Sequence, residues 1–390
     1  MDARPKKTLV FVIEGLNSLA LAFYFLFLFF FMQQRFGFDN MENLLLGAGG
    51  GLVYMCASFV CGRIAPKVGY YNCLTTAFVV MPVILLIGSR LESLGGHLVV
   101  FVVSVICMGF VWAPLQTLAC RGEPAHRVQR MVGIYNVVWA SVVAVGYFVA
   151  GGMFEAWSES IFVVTAGIMT LQLILTIVMR MKDGSTESVV RKPVTREESD
   201  EETIAPNIGR AFLLMAWVAN PFAFVAANVC SPTIPTIADR LGLSPTYAGV
   251  FCSVWLFARA AGFALCWKWK GWHYRMNWLL TGYLAMVVSF IAILAIPNLV
   301  VLLISQVFFG LSLGLLYYSS LYYSMHVGVE EQGKHGGIHE ASIGAGNCAG
   351  PLFGAAALHF DPTNPNAGVL AVSAALALGF IWVVRIWSRR

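Results

Sequence analysis

The sequence predicts an all-α membrane protein with twelve transmembrane helices in two pseudo-symmetric bundles of six. Three observations predict it: a composition too apolar for water, twelve apolar runs of helix length, and one long polar stretch dividing the first six runs from the last six.

Apolar residues make up 58% of the 390 and charged residues 12%, with a mean hydropathy of +0.75. Ordinary soluble domains are about 25% charged. So much apolar surface has no hiding place in a soluble domain, so lipid must be the solvent for most of the chain. A helix crosses a bilayer with ~20 apolar residues. Runs at 8–32, 42–65, 72–88, 97–120, 131–154 and 160–180 form the first set. Runs at 209–235, 245–267, 277–296, 299–325, 335–358 and 368–386 form the second. None alternates with the period of two that marks a barrel strand.

The N-terminus, MDARPKKTLVFVIEGLNSLALAFYFLFLFFF, begins like a signal peptide. Its apolar run is too long for one and no small-x-small cleavage site follows, so a retained first helix is expected. Orientation follows from the 25 Lys and Arg. With a cytoplasmic N-terminus, only Arg35, Arg90 and Arg240 fall on the far side, and Arg259 falls inside a run. That bias predicts a multi-pass protein of the plasma membrane (the inner membrane of a bacterium) with both termini cytoplasmic. The net charge of +5 then reflects topology, and no nucleic-acid partner is expected, because the basic residues form no single patch. All nine cysteines fall in the runs, without a CxxC, and read as packing residues rather than disulfide or zinc ligands.

Residues 181–208 carry Glu197, Glu198, Asp200, Glu201 and Glu202 and read as a solvated cytoplasmic linker. The expected domains are therefore 1–180 and 209–390, each a six-helix bundle. The halves also match each other. RFGFDNMEN (35–43) aligns with RLGLSPTYA (240–248), and LVVFVVSVICMGF (98–110) with LVVLLISQVFFGL (299–311). Gly133, Ile134 and Gly146 align with Gly337, Ile338 and Gly350. Three matches in one order, at nearly one offset, point to internal duplication, a pattern of transporters with a site between the halves.

Six plus six helices, cytoplasmic ends and a cytoplasmic central linker resemble the major facilitator superfamily (MFS). GRIAPKVGYY (62–71) resembles the family's loop motif between helices 2 and 3, with Gly62, Lys67 and Gly69 matching. Pro66 stands where the family has an acid, and Tyr70 and Tyr71 replace its basic pair. The resemblance implies a central cavity lined mainly by helices 1, 4, 7 and 10, and alternating access by rocking of the halves. It also implies a latching role for the Gly62, Lys67 and Gly69 loop, weakened or replaced where the acid is missing. A Gly-Pro-x-x-Gly pattern of the family's antiporters lies in helix 5. Here GPLFG (350–354) sits in helix 11, so antiport is not carried across.

Charges inside a span cost several kcal/mol and need a reason. Arg259 lies nine residues before Lys268, about 13 Å into the bilayer at 1.5 Å per residue. It reads either as a contact for an anionic or hydroxylated substrate or as one side of an ion pair in the bundle. Glu14, with Asn17 on its helix face, and Glu340 occupy similar depths, so pairing with Arg259 is open to both. A proton on Glu14 or Glu340 could couple to rocking, with His339 beside Glu340 as a pH-sensitive element. A static pair and interfacial exposure are the alternatives. His335 and His339 have i, i+4 spacing, which suits two metal ligands, yet no second pair stands near, and neither metal nor cofactor is expected. GAGGGLVY (47–54) lacks the Lys-Ser/Thr of a phosphate loop and reads as close packing.

Helix 10 holds YYSSLYYSMH (317–326), and Tyr317 and Tyr318 are candidate cavity residues. Trp112 and Gln116 in helix 4, Asn136 and Trp139 in helix 5, and Asn220 in helix 7 complete the candidate binding set. The expected function is secondary active transport of a small organic solute, anionic or sugar-like, by a monomer using protons as the coupling ion (symport). An exporter of amphipathic compounds is the alternative, and a transporter-like receptor a remoter one. No nucleophile–base constellation suggests an enzyme.

Overall fold

The computed structural model describes residues 4–121, 123, 125–183, 205–326 and 332–389, with backbone only at 4–6, 125–129, 183, 325–326 and 332–342. Twelve long helices follow one another, with no strand among the described residues. The first, α1, runs Arg4–Leu21, continues through a π-turn at Ala22–Leu26 and ends as Leu28–Phe36. Next come α2 (Asn40–Val68), α3 (Tyr70–Gly88), and α4 in two pieces, Leu94–Gly109 and Trp112–Cys120. The first set closes with α5 (Ala125–Ala156) and α6 (Ser160–Asp183). The second set is α7 (Pro206–Leu241), α8 (Pro245–Cys252 and Val254–Lys268), α9 (Met276–Ala295), α10 (Leu299–His326), α11 (Gln332–Phe360) and α12 (Ala367–Ser388). Eleven are long and apolar enough to cross a membrane. The remaining helix, α11, is 29 residues long, and its side chains up to 342 lie outside the described residues. Of the expected linker, 181–208, residues 184–204 lie outside the described residues, while 181–183 close α6 and 206–208 open α7.

Each expected run became a helix, with ends shifted by a few residues where local chemistry dictates. α2 starts at Asn40 because Asp39 caps it: its carboxylate accepts from the Glu42 amide, and the Glu42 side chain accepts from the Asp39 amide. The outward faces carry large apolar side chains more than half exposed, among them Phe59, Val99, Val300 and Leu378. That surface fits acyl chains and no other solvent.

The sequence matches between the halves correspond to shared local geometry. α1 ends on Gly37 (φ 72°) and α7 on Gly242 (φ 64°), 205 positions apart, each in the left-handed conformation that closes a helix. Asp39 and Ser244, at the same offset, then sit at the N-caps of α2 and α8. Gly146 brings α5 against Leu19 and Ala22 of α1, and Gly350 brings α11 against Val225 of α7. A β-carbon at either position would collide with its neighbour, so both crossings require glycine.

The start of α1 and the end of α12 lie at what we call the proximal end of the molecule. At the other, distal end the two sets of helices are fastened together. Glu155 at the end of α5 accepts from the Ser244 hydroxyl (2.8 Å) and the Thr246 amide (3.0 Å) at the start of α8. Gln33 of α1 donates to Asp239 of α7 at 2.6 Å. Gly151 packs on the Pro245 carbonyl, and Gly51 of α2 on the Asn347 backbone of α11. The proximal motif residues 62–68 form the last turns of α2 and, among the described residues, make no such bond: Lys67 is exposed and a β-carbon on Gly62 would meet nothing within 4 Å. Gly69 (φ 100°) makes the one-residue turn from α2 to α3.

Candidate functional site

Three helices break at mid-depth, and all three breaks adjoin one cavity of about 280 Å³. Irregular backbone inside a membrane is tolerated only where protein or a cavity satisfies its polar groups. The π-turn of α1 brings Leu21, Phe25 and Leu26 to the wall. The break in α4 precedes Trp112 and Gln116. The break in α8 falls at Ser253, and Gln306 of α10 repairs it: its Oε1 accepts from the Trp255 amide (3.3 Å) and its Nε2 donates to the Phe251 carbonyl (2.8 Å). The repaired α8 then presents Trp255, Leu256 and Arg259 to the cavity.

Arg259 is 8% exposed. Its guanidinium lies 4.4 Å from the ring centroid of Trp139 on α5 and 5.0 Å from that of Trp255, one turn away on α8. Such stacking suits the delocalised, weakly hydrated guanidinium. No carboxylate lies against it among the described residues. One turn from Trp139, Asn136 accepts a hydrogen bond from the Tyr317 hydroxyl of α10 at 3.4 Å. Cation, amide and phenol thus meet where the two sets of helices face each other.

Glu14 has no exposed surface. Its carboxylate accepts from the Tyr135 hydroxyl (2.6 Å) and the Ser18 hydroxyl (3.3 Å), and the Trp112 indole lies beside it. Tyr135 and Trp112 also line the cavity, so Glu14 sits one side chain behind its wall. No cation faces it among the described residues. Pairing of Glu14 with Arg259, open on depth alone, is not what the structure holds: neutral donors take the carboxylate and two indole faces take the cation. The side chains of His335, His339 and Glu340 lie outside the described residues. Among those described, no cluster of three His, Cys, Asp or Glu could hold a metal.

Of the candidate binding residues, Trp112, Gln116, Asn136, Trp139, Arg259 and Tyr317 line one cavity. Asn220 and Tyr318 do not. Tyr318 follows Tyr317 by about 100° of helix rotation, which turns its ring toward Phe263 and Trp272. Asn220 is fully buried one turn proximal to Phe224, the first α7 residue of the wall. The wall also draws more on α2, α5, α8 and α11 than the expected set of four helices allows; Asn228 and Asn347 bond across α7 and α11 at 2.6 Å. Sequence reasoning passed over Gln306 and Glu155. A lone glutamine in an apolar helix was a signal for the first; a carboxylate at a helix end looks solvated.

Two six-helix sets, broken helices at mid-depth and a cavity between them define a class, that of membrane carriers built from paired bundles. The chain belongs to the Major Facilitator Superfamily, whose model matches residues 10–229 and again 216–390. No curated protein matches it in sequence. Solved structures of the same fold include a peptide transporter POT bound to alafosfalin (16% identity, TM-score 0.78, 98% of this chain and 94% of that one). A mutant of the nucleoside transporter NupG matches at 10% identity and TM-score 0.73, over 98% and 99%. A bacterial homologue of the human lysosomal transporter Spinster, inward-facing and unoccupied, matches at 12% and 0.69, over 99% and 96%.

Proposed function

We propose that this protein is a secondary active transporter that carries a small organic solute across the plasma membrane by alternating access. The observation that carries the reading is Arg259: a buried cation without a counter-ion among the described residues, at a cavity wall shared by the two halves. An uncompensated charge in a low-dielectric site is costly unless a ligand supplies its partner. The solute's anionic or hydroxylated group takes that place. Because Trp139 belongs to one half and Arg259 to the other, a ligand bound there touches both and can bias their rocking. The nucleoside and peptide transporters of the same fold support a small-molecule cargo.

Glu14 carries the coupling proton. A proton gained or lost there changes the charge behind Tyr135 and Trp112 with only neutral dipoles to compensate, and so alters the wall the solute meets. The distal fastening at Glu155 and Gln33, opposite an end of α2 where Lys67 is exposed, fits a state open toward the proximal, cytoplasmic side. The loop of Gly62, Lys67 and Gly69 closes in the opposite state. The protein works as a monomer with cytoplasmic termini.

The test is uptake into proteoliposomes from a solute library, with and without a pH gradient. The wild type concentrates its solute only with the gradient. Glu14→Gln exchanges solute across the membrane but no longer concentrates it. Accumulation that ignores both the gradient and this substitution sinks the coupling, and a protein that moves no solute sinks transport itself.

A further inference from the structure

Four polar atoms on the cavity wall are buried without a partner: Arg259 Nε, Trp139 Nε1, Trp255 Nε1 and Asn136 Nδ2. All four are hydrogen-bond donors, and no described acceptor of the wall is left in that state. Helix geometry gathers them, since Asn136 lies one turn from Trp139 on α5 and Trp255 one turn from Arg259 on α8. The Tyr317 hydroxyl already donates to the Asn136 carbonyl, which leaves the N–H groups as the unpartnered part of that side chain. Within this set a sugar hydroxyl, which brings a donor with every acceptor, would find no acceptor; the amide oxygens of the wall, on Gln116, Asn228 and Asn347, stand on other helices. A ligand group made of acceptors alone satisfies the set.

Charge narrows the class. Among the described residues Arg259 is the one charged side chain of the wall, so a single negative charge is balanced and a second would be buried alone. On α1 and the first piece of α4 the wall is apolar, with Phe25 and Phe29 of α1 and Phe101 and Met108 of α4. At about 280 Å³ the space stands at the small end of ligand cavities, near ~300 Å³.

From these we infer that the cargo is a small amphipathic monocarboxylate, with its carboxylate on Arg259, Asn136 and the two indole N–H groups and its apolar body against the α1–α4 wall. The inference rests on the transport reading for the word cargo, but the ligand class stands on the donor set alone.

The test uses the purified full-length protein in nanodiscs, with binding read by thermal shift and by displacement of radiolabelled phenylacetate. Phenylacetate and 3-methylbutanoate bind. Phenylacetamide, 2-phenylethylamine, phenyl phosphate and glucose do not. Arg259→Gln weakens phenylacetate by ~30-fold or more. Trp255→Phe, which keeps the ring over the cation but removes one donor, weakens it by ~10-fold. Asn136→Asp keeps the Tyr317 bond, turns the free donor into an acceptor, and abolishes carboxylate binding. If every carboxylate fails to bind, or if the amide or the sugar binds as tightly, the ligand class is overturned. Carboxylate binding without flux in proteoliposomes overturns transport and leaves the ligand class; flux of a neutral solute with no carboxylate bound does the reverse.

Discussion

Arg259 holds a full charge among aromatic rings with 8% of its surface exposed, and no described side chain neutralises it. A residue kept in that condition works against the fold. Replacing even a paired set of buried charges with apolar side chains of similar volume stabilises by about 1–4 kcal/mol in favourable cases, and an unpaired charge has less to lose. Arg259→Met is therefore expected to raise the melting temperature of the ligand-free protein while removing ligand-induced stabilisation. A fall in melting temperature without loss of ligand affinity would make Arg259 a structural residue. Glu14 poses the complementary case, since its shortest bond comes from Tyr135. Tyr135→Phe removes a donor to the Glu14 carboxyl, worth about 1 kcal/mol if the group is neutral and about 1.5–3 kcal/mol if it is charged. It should impair gradient-driven accumulation more than exchange, measured side by side in the same vesicles. A charge within a span cannot be incidental, so these two residues were legible in the amino-acid sequence. Their partners were not: equal depth said nothing of azimuth, and azimuth decides that Glu14 meets phenol and indole while Arg259 meets ring faces. The same blindness put Tyr318 beside Tyr317 and left Asn220 a turn short of the wall.

At the level of the helix, the break in α8 depends on one side chain. Gln306 pairs both with the Trp255 amide and with the Phe251 carbonyl, backbone groups that the interruption frees. Gln306→Leu would leave both buried without partners, at about 1–3 kcal/mol for each. It would also loosen the turn that aims Trp255 and Arg259. The expected result is a lower melting temperature together with weaker ligand binding, although Gln306 itself is not on the cavity wall. The crossing of α5 and α8 offers a different lever. At Gly151 a β-carbon would strike the Pro245 carbonyl, and backbone cannot swing aside as a long side chain can. Gly151→Ala, or Glu155→Gln with its weakened bonds to Ser244 and Thr246, should part the distal ends. Thiol labelling at distal positions near α5 and α8 should then quicken; an unchanged rate would remove this crossing from the gate. The helices themselves were readable because lipid permits no ambiguity about which residues may face it. The breaks were less so: Gly109 and Pro114 flank the one in α4, but glycines occur all along these helices without breaking them, and the π-turn of α1 has no sequence mark at all.

For the whole molecule, alternating access makes a claim about distances. With the native cysteines replaced, spin labels at Glu92 and Pro297 would report the separation of the two sets of helices at the distal end. Ligand and gradient are expected to shift the population toward a longer separation, with the proximal ends drawing together in the same samples. A single unchanging distance under all conditions would leave a binding protein and no carrier. The twofold plan was legible at this scale from three short matches, because they fall on features that repeat for physical reasons: helix-ending glycines, caps and tight crossings. The clamp at the distal end was not, since Gln33, Glu155 and Asp239 look like ordinary water-facing residues one by one and become a fastening only when the two sets meet.

The matched stops at Gly37 and Gly242, each followed two residues on by the N-cap position that starts the next helix, mean that either six-helix set carries its own instructions for biogenesis. The leading set can settle in the bilayer while the ribosome is still making the rest, in keeping with units that mature in order of synthesis. Co-expressed as two polypeptides severed between residues 184 and 204, the pieces should find one another and reconstitute a working particle.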